Sequence, residues 1–276
     1  MKHTAVRLSY SVHDIEPYIN WAYFYYAWSM SDKPQDEKQK LRHEAEQMLA
    51  EMDKHYHTHA IFGIYDANSD GDDLIIDGVR IPLLRQQHPS PGSDYCLCLS
   101  DFVRPIQSGV ADKAGVFCTS VDSSLSADYL SDPYSRMLSQ TLADRLAEGT
   151  AEKMHEEVRR HYWGYAPDEH LTMADTHAER YQGIRPAIGY PSLPDTSINF
   201  IIAEILDMQS IGVRLTESGM MTPHASVCGF MFAHPEAHYF DLGKIGEDQL
   251  SDYARRRKLP VALVRKFLQR SIDRRI

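Results

Sequence analysis

The chain is short of several things, and each shortage excludes something. It has no run of ~20 apolar residues such as a membrane-spanning helix requires, and the aromatic stretch from Pro17 to Met30 is shorter and carries Asn20. Met1-Lys2-His3-Thr4 lacks the apolar segment of a secretory leader. Four cysteines in 276 residues are too few for a disulfide scaffold, so a reducing cytoplasm is the expected location. Positive charge is also scarce. Lys and Arg number 29 against 39 Asp and Glu, for a net charge of -10, which disfavours nucleic acid and anionic membranes as partners. There is no Gly-rich phosphate loop, dinucleotide fingerprint, nucleophile elbow or paired zinc-ligand motif. No repeat or Gly/Ser/Pro tract divides the chain. One domain over residues 1–276 is therefore expected, large enough to bury roughly three quarters of its unfolded surface.

What is present is a mixture of helical and strand patterns. Gln35 to Lys54 places Leu41, Ala45, Met48, Leu49 and Met52 near helical spacing. Ala60–Tyr65 and Leu74–Ile76 are β-rich runs joined by the turn-forming Asp66–Gly71, which predicts a hairpin. Asp132-Pro133 is a helix-start pair, and Leu138, Leu142, Leu146, Met154 and Val158 carry that helix to about Arg160. Glu148, Glu152, His155 and Arg159 project together from its other face. Pro194–Ser197 caps a helix bearing Ile198, Ile201, Ile202 and Ile205, with Gly212 as its stop. Val213–Ser218, Ala225–Ala233 and Tyr239–Ile245 are predicted strands, and two short basic helices follow. Helices and strands without regular alternation predict an α+β fold with a central antiparallel sheet. The nine basic residues between Arg255 and Arg275 form either a solvated face or a patch for an anionic partner.

Three patterns imitate metal sites. Asp66, Asn68, Asp70, Gly71 and Asp77 resemble a calcium loop in spacing, but their flanks are β-branched and aromatic where helices are required. His55, His57 and His59 would share a face of a strand, yet no acidic or thiol partner stands at zinc spacing. Cys96-x-Cys98 has no second pair. No metal ligand is assigned.

Tyr181-Gln-Gly-Ile-Arg-Pro-Ala-Ile-Gly-Tyr-Pro191 differs in kind. Its prolines and glycines make a stiff loop, cheap in entropy, that holds Arg185 and Tyr190 in fixed directions. Here the chain resembles the activation domain of cobalamin-dependent methionine synthase. Gly183–Pro191, Leu215–Ser218, Ala225–Gly229, His234-Pro235 and Asp252–Arg256 match its successive motifs. Upstream, Asn20-Trp21, Tyr95–Leu97, Ala143–Glu148 and Tyr162–Pro167 match in the same order, so the resemblance runs from about residue 13 to 270.

The resemblance implies a curved α+β domain that binds S-adenosylmethionine in a surface groove. That cofactor serves reductive methylation of inactive cob(II)alamin, with an electron from a flavodoxin-like donor. By the same resemblance Arg185 holds the ligand's carboxylate, Glu148 and Glu179 line the groove, and Tyr239 and Phe240 flank the nucleoside. Gly189, Tyr190 and Pro191 form the loop that approaches the corrin, and no residue is assigned a catalytic role. One departure is clear. The family has aspartate where this chain has Asn20, so an amide without charge faces the ligand's ammonium group. No cobalamin-binding Asp-x-His-x-x-Gly motif is present, so the cobalamin is expected on a separate methionine synthase or related corrinoid protein. The alternative reading is a non-catalytic module that binds S-adenosylmethionine or a corrinoid protein as chaperone or sensor.

Overall fold

The computed structural model describes residues 5–129 and 132–272. Its strands are β1 (Val6–Ser11), β2 (His57–Asp70), β3 (Asp73–Ile76), β4 (Val79–Pro82), β5 (Asp112–Val121), β6 (Arg214–Leu215), β7 (Met221–Thr222) and β8 (Ser226–Met231). A six-stranded antiparallel sheet runs β4-β3-β2-β5-β8, with β1 also on β2, while β6 and β7 form a separate pair. The fold is α+β, as expected. β2 organises it. Its first half pairs with β1 and its second half with β3 along one edge, while β5 follows the other edge from Thr58↔Val121 to Ala67↔Asp112.

Alternate side chains on a strand point to opposite faces, and both faces of this sheet are covered. On one face, Ala60 and Phe62 of β2, Phe117 of β5 and Met231 of β8 pack beneath two helices, Gln35–Met52 and Pro133–Glu157. On the other, Ile61, Tyr65, Val116, Cys118, Cys228 and Phe230 pack with Ile198 and Ile202 of the Ile198–Ile205 helix. A third cluster joins Leu250 and Tyr253 of the Glu247–Arg257 helix to Val264 of the Val261–Phe267 helix. Among the described residues no helix is long and apolar enough to cross a membrane.

Asp132 caps the long helix by accepting from Ser135 N–H at 2.7 Å. The α-helix ends at Glu157 and widens into a π turn over Val158–Tyr162, so the expected end near Arg160 falls inside that turn. Several other expectations need correction. Asp66–Asp70 continue β2, so the hairpin turns only after Asp70. Tyr239–Ile245 is irregular apart from a bridge between Ile245 and Ile272. Val213–Ser218 contributes only the two residues of β6. Gly212 ends the short 3₁₀ turn Met208–Ile211, whereas the Ile198–Ile205 helix stops at Leu206. In the Pro17–Met30 stretch, Phe24 is buried but Tyr23 and Tyr26 are 61% and 75% exposed, so that segment is partly a surface.

The metal-like patterns have structural employment. Asp70 pairs with Arg80 at 2.8 Å, and Asn68 donates to the carbonyls of Arg104 and Val110. His59 pairs with Asp122 at 2.8 Å. Cys96 and Cys98 precede a 3₁₀ turn instead of lying on a strand, and all four cysteines are free thiols. Arg255, Arg256, Arg257 and Arg265 all pair with nearby carboxylates, which makes this part of the C-terminal basic run a structural face. Arg274 and Arg275 lie outside the described residues.

One close approach ties the sheet to the stiff loop. Residues 184–188 run beside β8, with Ile184 N–H donating to Phe232 O at 2.9 Å, Phe230 N–H to Pro186 O at 3.1 Å and Ile188 N–H to Cys228 O at 2.9 Å. Gly229 makes room for this, because a Cβ there would sit 2.1 Å from Pro186 O and 2.8 Å from Ala187 Cα. Backbone cannot yield as a flexible side chain would. Gly229→Ala is therefore expected to destabilise the fold by about 1–3 kcal/mol, read as a fall of roughly 2–4 °C in Tm per kcal/mol. An unchanged melting temperature would show that the loop is not seated on β8.

Candidate functional site

A cleft of about 660 Å³ opens where the long helix, the 185–192 loop and the segment 239–241 meet, a size within the ~300–1,000 Å³ typical of small-molecule sites. Tyr18, Asn20, Tyr23 and the residues Thr176, His177 and Glu179 complete its wall. Of the residues singled out in the sequence, Asn20, Glu148, Glu179, Arg185, Tyr190, Pro191, Tyr239 and Phe240 all line this cleft. Gly189 does not. It adopts a left-handed φ of 91° and turns the chain so that Tyr190 and Pro191 enter the wall.

Helical geometry supplies one side. Glu148 and Glu152, four residues apart, stand one turn above the other on the long helix. The β8-bound loop supplies the other side. Arg185 Nη2 donates to Glu152 Oε2 at 2.8 Å, its guanidinium lies 5.9 Å from the Phe117 ring centroid, and its backbone N–H donates to the Tyr239 hydroxyl at 2.9 Å. Tyr190, on the same loop, donates its hydroxyl proton to Glu148 across the mouth. Asn20 caps the Trp21–Ala27 helix, its Oδ1 accepting from Ala22 N–H at 3.1 Å.

The electrostatics are uneven. Glu148, Glu152, Glu179 and Asp241 face Arg145 and Arg185 around one cleft, an excess of carboxylates that suits a cation. Burial raises the Glu148 carboxyl above its usual range, opposed by Arg185 and Arg145. Burial, and then the neighbouring Glu152, raise Glu179. Three buried side-chain atoms in the wall have no hydrogen-bond partner: Arg145 Nε, Arg185 Nε and Glu152 Oε1. Unsatisfied buried polar atoms are rare and costly in proteins, and these two donors and one acceptor belong to three residues that line one cleft.

Behind this wall lies a second ionic group that the sequence placed on the same helix face without giving it a role. Arg159 is fully buried, donating from Nε and Nη2 to Glu169 at 2.8 and 2.6 Å and lying 4.1 Å from the Tyr181 ring centroid. Its Nη1 is 2.9 Å from His155 Nδ1. A guanidinium has no acceptor, so His155 Nδ1 must accept and the imidazole is neutral. Burial and the charges of Arg159 and Arg185 hold the His155 pKa well below its usual value, in agreement. Tyr181 neighbours Tyr239, whose hydroxyl accepts from the Arg185 backbone N–H. Glu152, Arg145, Tyr18 and Tyr23 were not among the expected site residues. The i, i+4 spacing from Glu148 could have found Glu152, whereas no local pattern marks the tyrosines.

The fold is α+β, and its cleft is lined by four carboxylates and two guanidiniums. Residues 11–258 match the vitamin B12 dependent methionine synthase activation domain, and the chain belongs to that family. It is also similar to a crystal structure of the MetH reactivation domain bound to AdoHcy, at 36% identity and a TM-score of 0.89, over 98% of this chain and 91% of that one.

Glu169→Ala strands the buried Arg159 charge and is expected to lower the unfolding free energy by about 3–5 kcal/mol, measured in urea. The neutral His155 sets a pH dependence. Its folded pKa lies below the unfolded value of 6.5, so the unfolded chain binds more protons once the pH drops below that value, and stability falls as the pH falls. His155→Gln should flatten this part of the stability profile; an equally steep profile in the variant would assign the slope to other groups.

Proposed function

We propose that the cleft binds S-adenosylmethionine and presents it to a cobalamin held outside these 276 residues, on a methionine synthase or related corrinoid protein. The observation that carries this reading is the Arg185 guanidinium, buried in the wall with Nε unpartnered and surrounded by carboxylates. A planar guanidinium suits an α-carboxylate, which it can hold with two hydrogen bonds. The acidic lining favours the ammonium and sulfonium charges. Tyr239 and Phe240 offer ring surface for the nucleoside, Tyr239 being anchored by the Arg185 backbone and Phe240 by the core. Bound there, S-adenosylmethionine would supply an electrophilic methyl group, and the cobalamin, once reduced by a flavodoxin-like donor, the nucleophile.

The chain's own contribution is orientation. The Tyr190–Glu148 contact closes the mouth from the loop side, and Tyr190 is 46% exposed. An exposed ring at the mouth, with Pro191 beside it in the wall, supports an approach of the corrin domain from this side. Docking has to be transient, because the cobalamin face must also meet other substrates.

Calorimetry with S-adenosylmethionine tests the reading directly. The native protein is expected to bind, Arg185→Ala to abolish binding, and Asn20→Asp to strengthen it several-fold by adding a negative charge to the lining. Affinity should weaken as the pH falls, since Glu148 and Glu179 have raised pKa values and protonate early. Labelled methyl transfer to a reduced corrinoid protein then separates a reactivation role from a binding module. Absence of binding by the native protein would end the proposal.

A further inference from the structure

Among the described residues, Glu152 is the one cleft carboxylate with a buried oxygen that lacks a partner, and it touches the residue assigned to the ligand's carboxylate. Its Oε2 accepts from Arg185 Nη2 at 2.8 Å, while Oε1 is buried without a partner. Both side chains are largely enclosed, at 13% and 10% exposure. An α-amino acid carries its ammonium and carboxylate on one and the same carbon. Whatever accepts the ammonium must therefore stand directly beside whatever donates to the carboxylate, and Glu152 is the acid hydrogen-bonded to Arg185.

The other acceptors are placed less well. Asn20 Oδ1 is occupied by the N–H of Ala22, and its amide carries no charge. Glu148 accepts from Tyr190. Glu179 is exposed on the short connection after the Met173–His177 helix, with a left-handed φ of 56°. We propose that Glu152 is the acceptor for the ligand's α-ammonium group, taking the charged role that position 20 lacks, while Arg185 beside it takes the carboxylate. This rests on the S-adenosylmethionine reading above. Glu152 would then keep one oxygen on Arg185 and turn the other to the ligand, so that a single carboxylate orients the guanidinium and selects a zwitterion over a plain anion.

The test is a cycle between protein and ligand. Affinities for S-adenosylmethionine and for its deamino analogue, with hydrogen in place of the α-amino group, are measured by calorimetry on the native protein, Glu152→Gln and Glu148→Gln. The native protein is expected to prefer the amino ligand by about ten- to a hundred-fold, the range of a hydrogen bond to a charged group. Glu152→Gln should reduce that preference to about threefold or less, and Glu148→Gln, which removes one charge from the lining without removing the proposed acceptor, should reduce it far less. If Glu152→Gln weakens both ligands equally, Glu152 acts only through Arg185 and the inference is overturned. Collapse of the preference in Glu148→Gln alone overturns it too, by placing the ammonium at Glu148. If Glu152→Gln shows no cooperative melt, Glu152→Asp replaces it. That variant keeps the charge on a shorter arm and should give an intermediate preference, whereas an unchanged preference would count against Glu152. Failure of the native protein to bind either ligand is a different result, which removes the proposed function itself.

Discussion

A guanidinium cannot be left buried and unpaired, and the region around the cleft is arranged around that constraint. Removing a charge from water costs several kcal/mol even after relaxation, and only a well-placed partner with further hydrogen bonds recovers it. Arg185 meets this requirement through Glu152 on the long helix, and its backbone is fixed by Tyr239 and by the loop's bonds to β8. The charge thus ties together three stretches distant in sequence. Any shift of the loop along β8 would separate Arg185 from Glu152, so the register of the sheet and the aim of the guanidinium are one geometric fact.

The π turn that continues this helix carries a second buried guanidinium, Arg159, less than two turns beyond Glu152, and the two are not equivalent. Arg159 has its Nε and both terminal nitrogens engaged, by two oxygens of Glu169 and by His155. Arg185 retains an unpartnered Nε. A fully partnered guanidinium is architectural: it fixes the π turn and the segment carrying Glu169 against Tyr181. A partly partnered one is available. The Tyr181–Tyr239 contact joins them, so the satisfied pair stiffens the wall on which the unsatisfied pair is mounted. Such support is what holds a binding group in one orientation.

Much of this was legible from residues alone, because the relevant signals are local. Helical spacing located the Pro133–Glu157 helix and the shared face of Glu148, Glu152, His155 and Arg159, and β-rich runs located parts of β2, β3 and β8, whereas β5 went unmarked. The family motifs identified the loop. Failures occurred where long-range contacts decide the outcome. Tyr239–Ile245 has strand-like composition but bends against the cleft and the C-terminal helices, where tertiary packing overrides propensity. The Asp66–Asp70 run looks like a turn, yet β3 and β5 supply partners on both sides and hold it as strand. Whether Glu152 or Glu148 stands against Arg185 depends on how the loop crosses the helix, and no spacing within either segment contains that information.

The charge balance around the cleft also shows that an uncharged residue at position 20 leaves the lining negative. Within the wall, four carboxylates face two guanidiniums, so removing one further carboxylate leaves the lining negative. Asn20 is also committed elsewhere: asparagine and aspartate are comparable helix caps, and Oδ1 is already spent on Ala22 N–H. At position 20 the cap is a local requirement that either residue meets, while negative charge is a property of the whole lining that other residues can supply. Helix capping therefore constrains the identity of this residue more tightly than the charge of the cleft does.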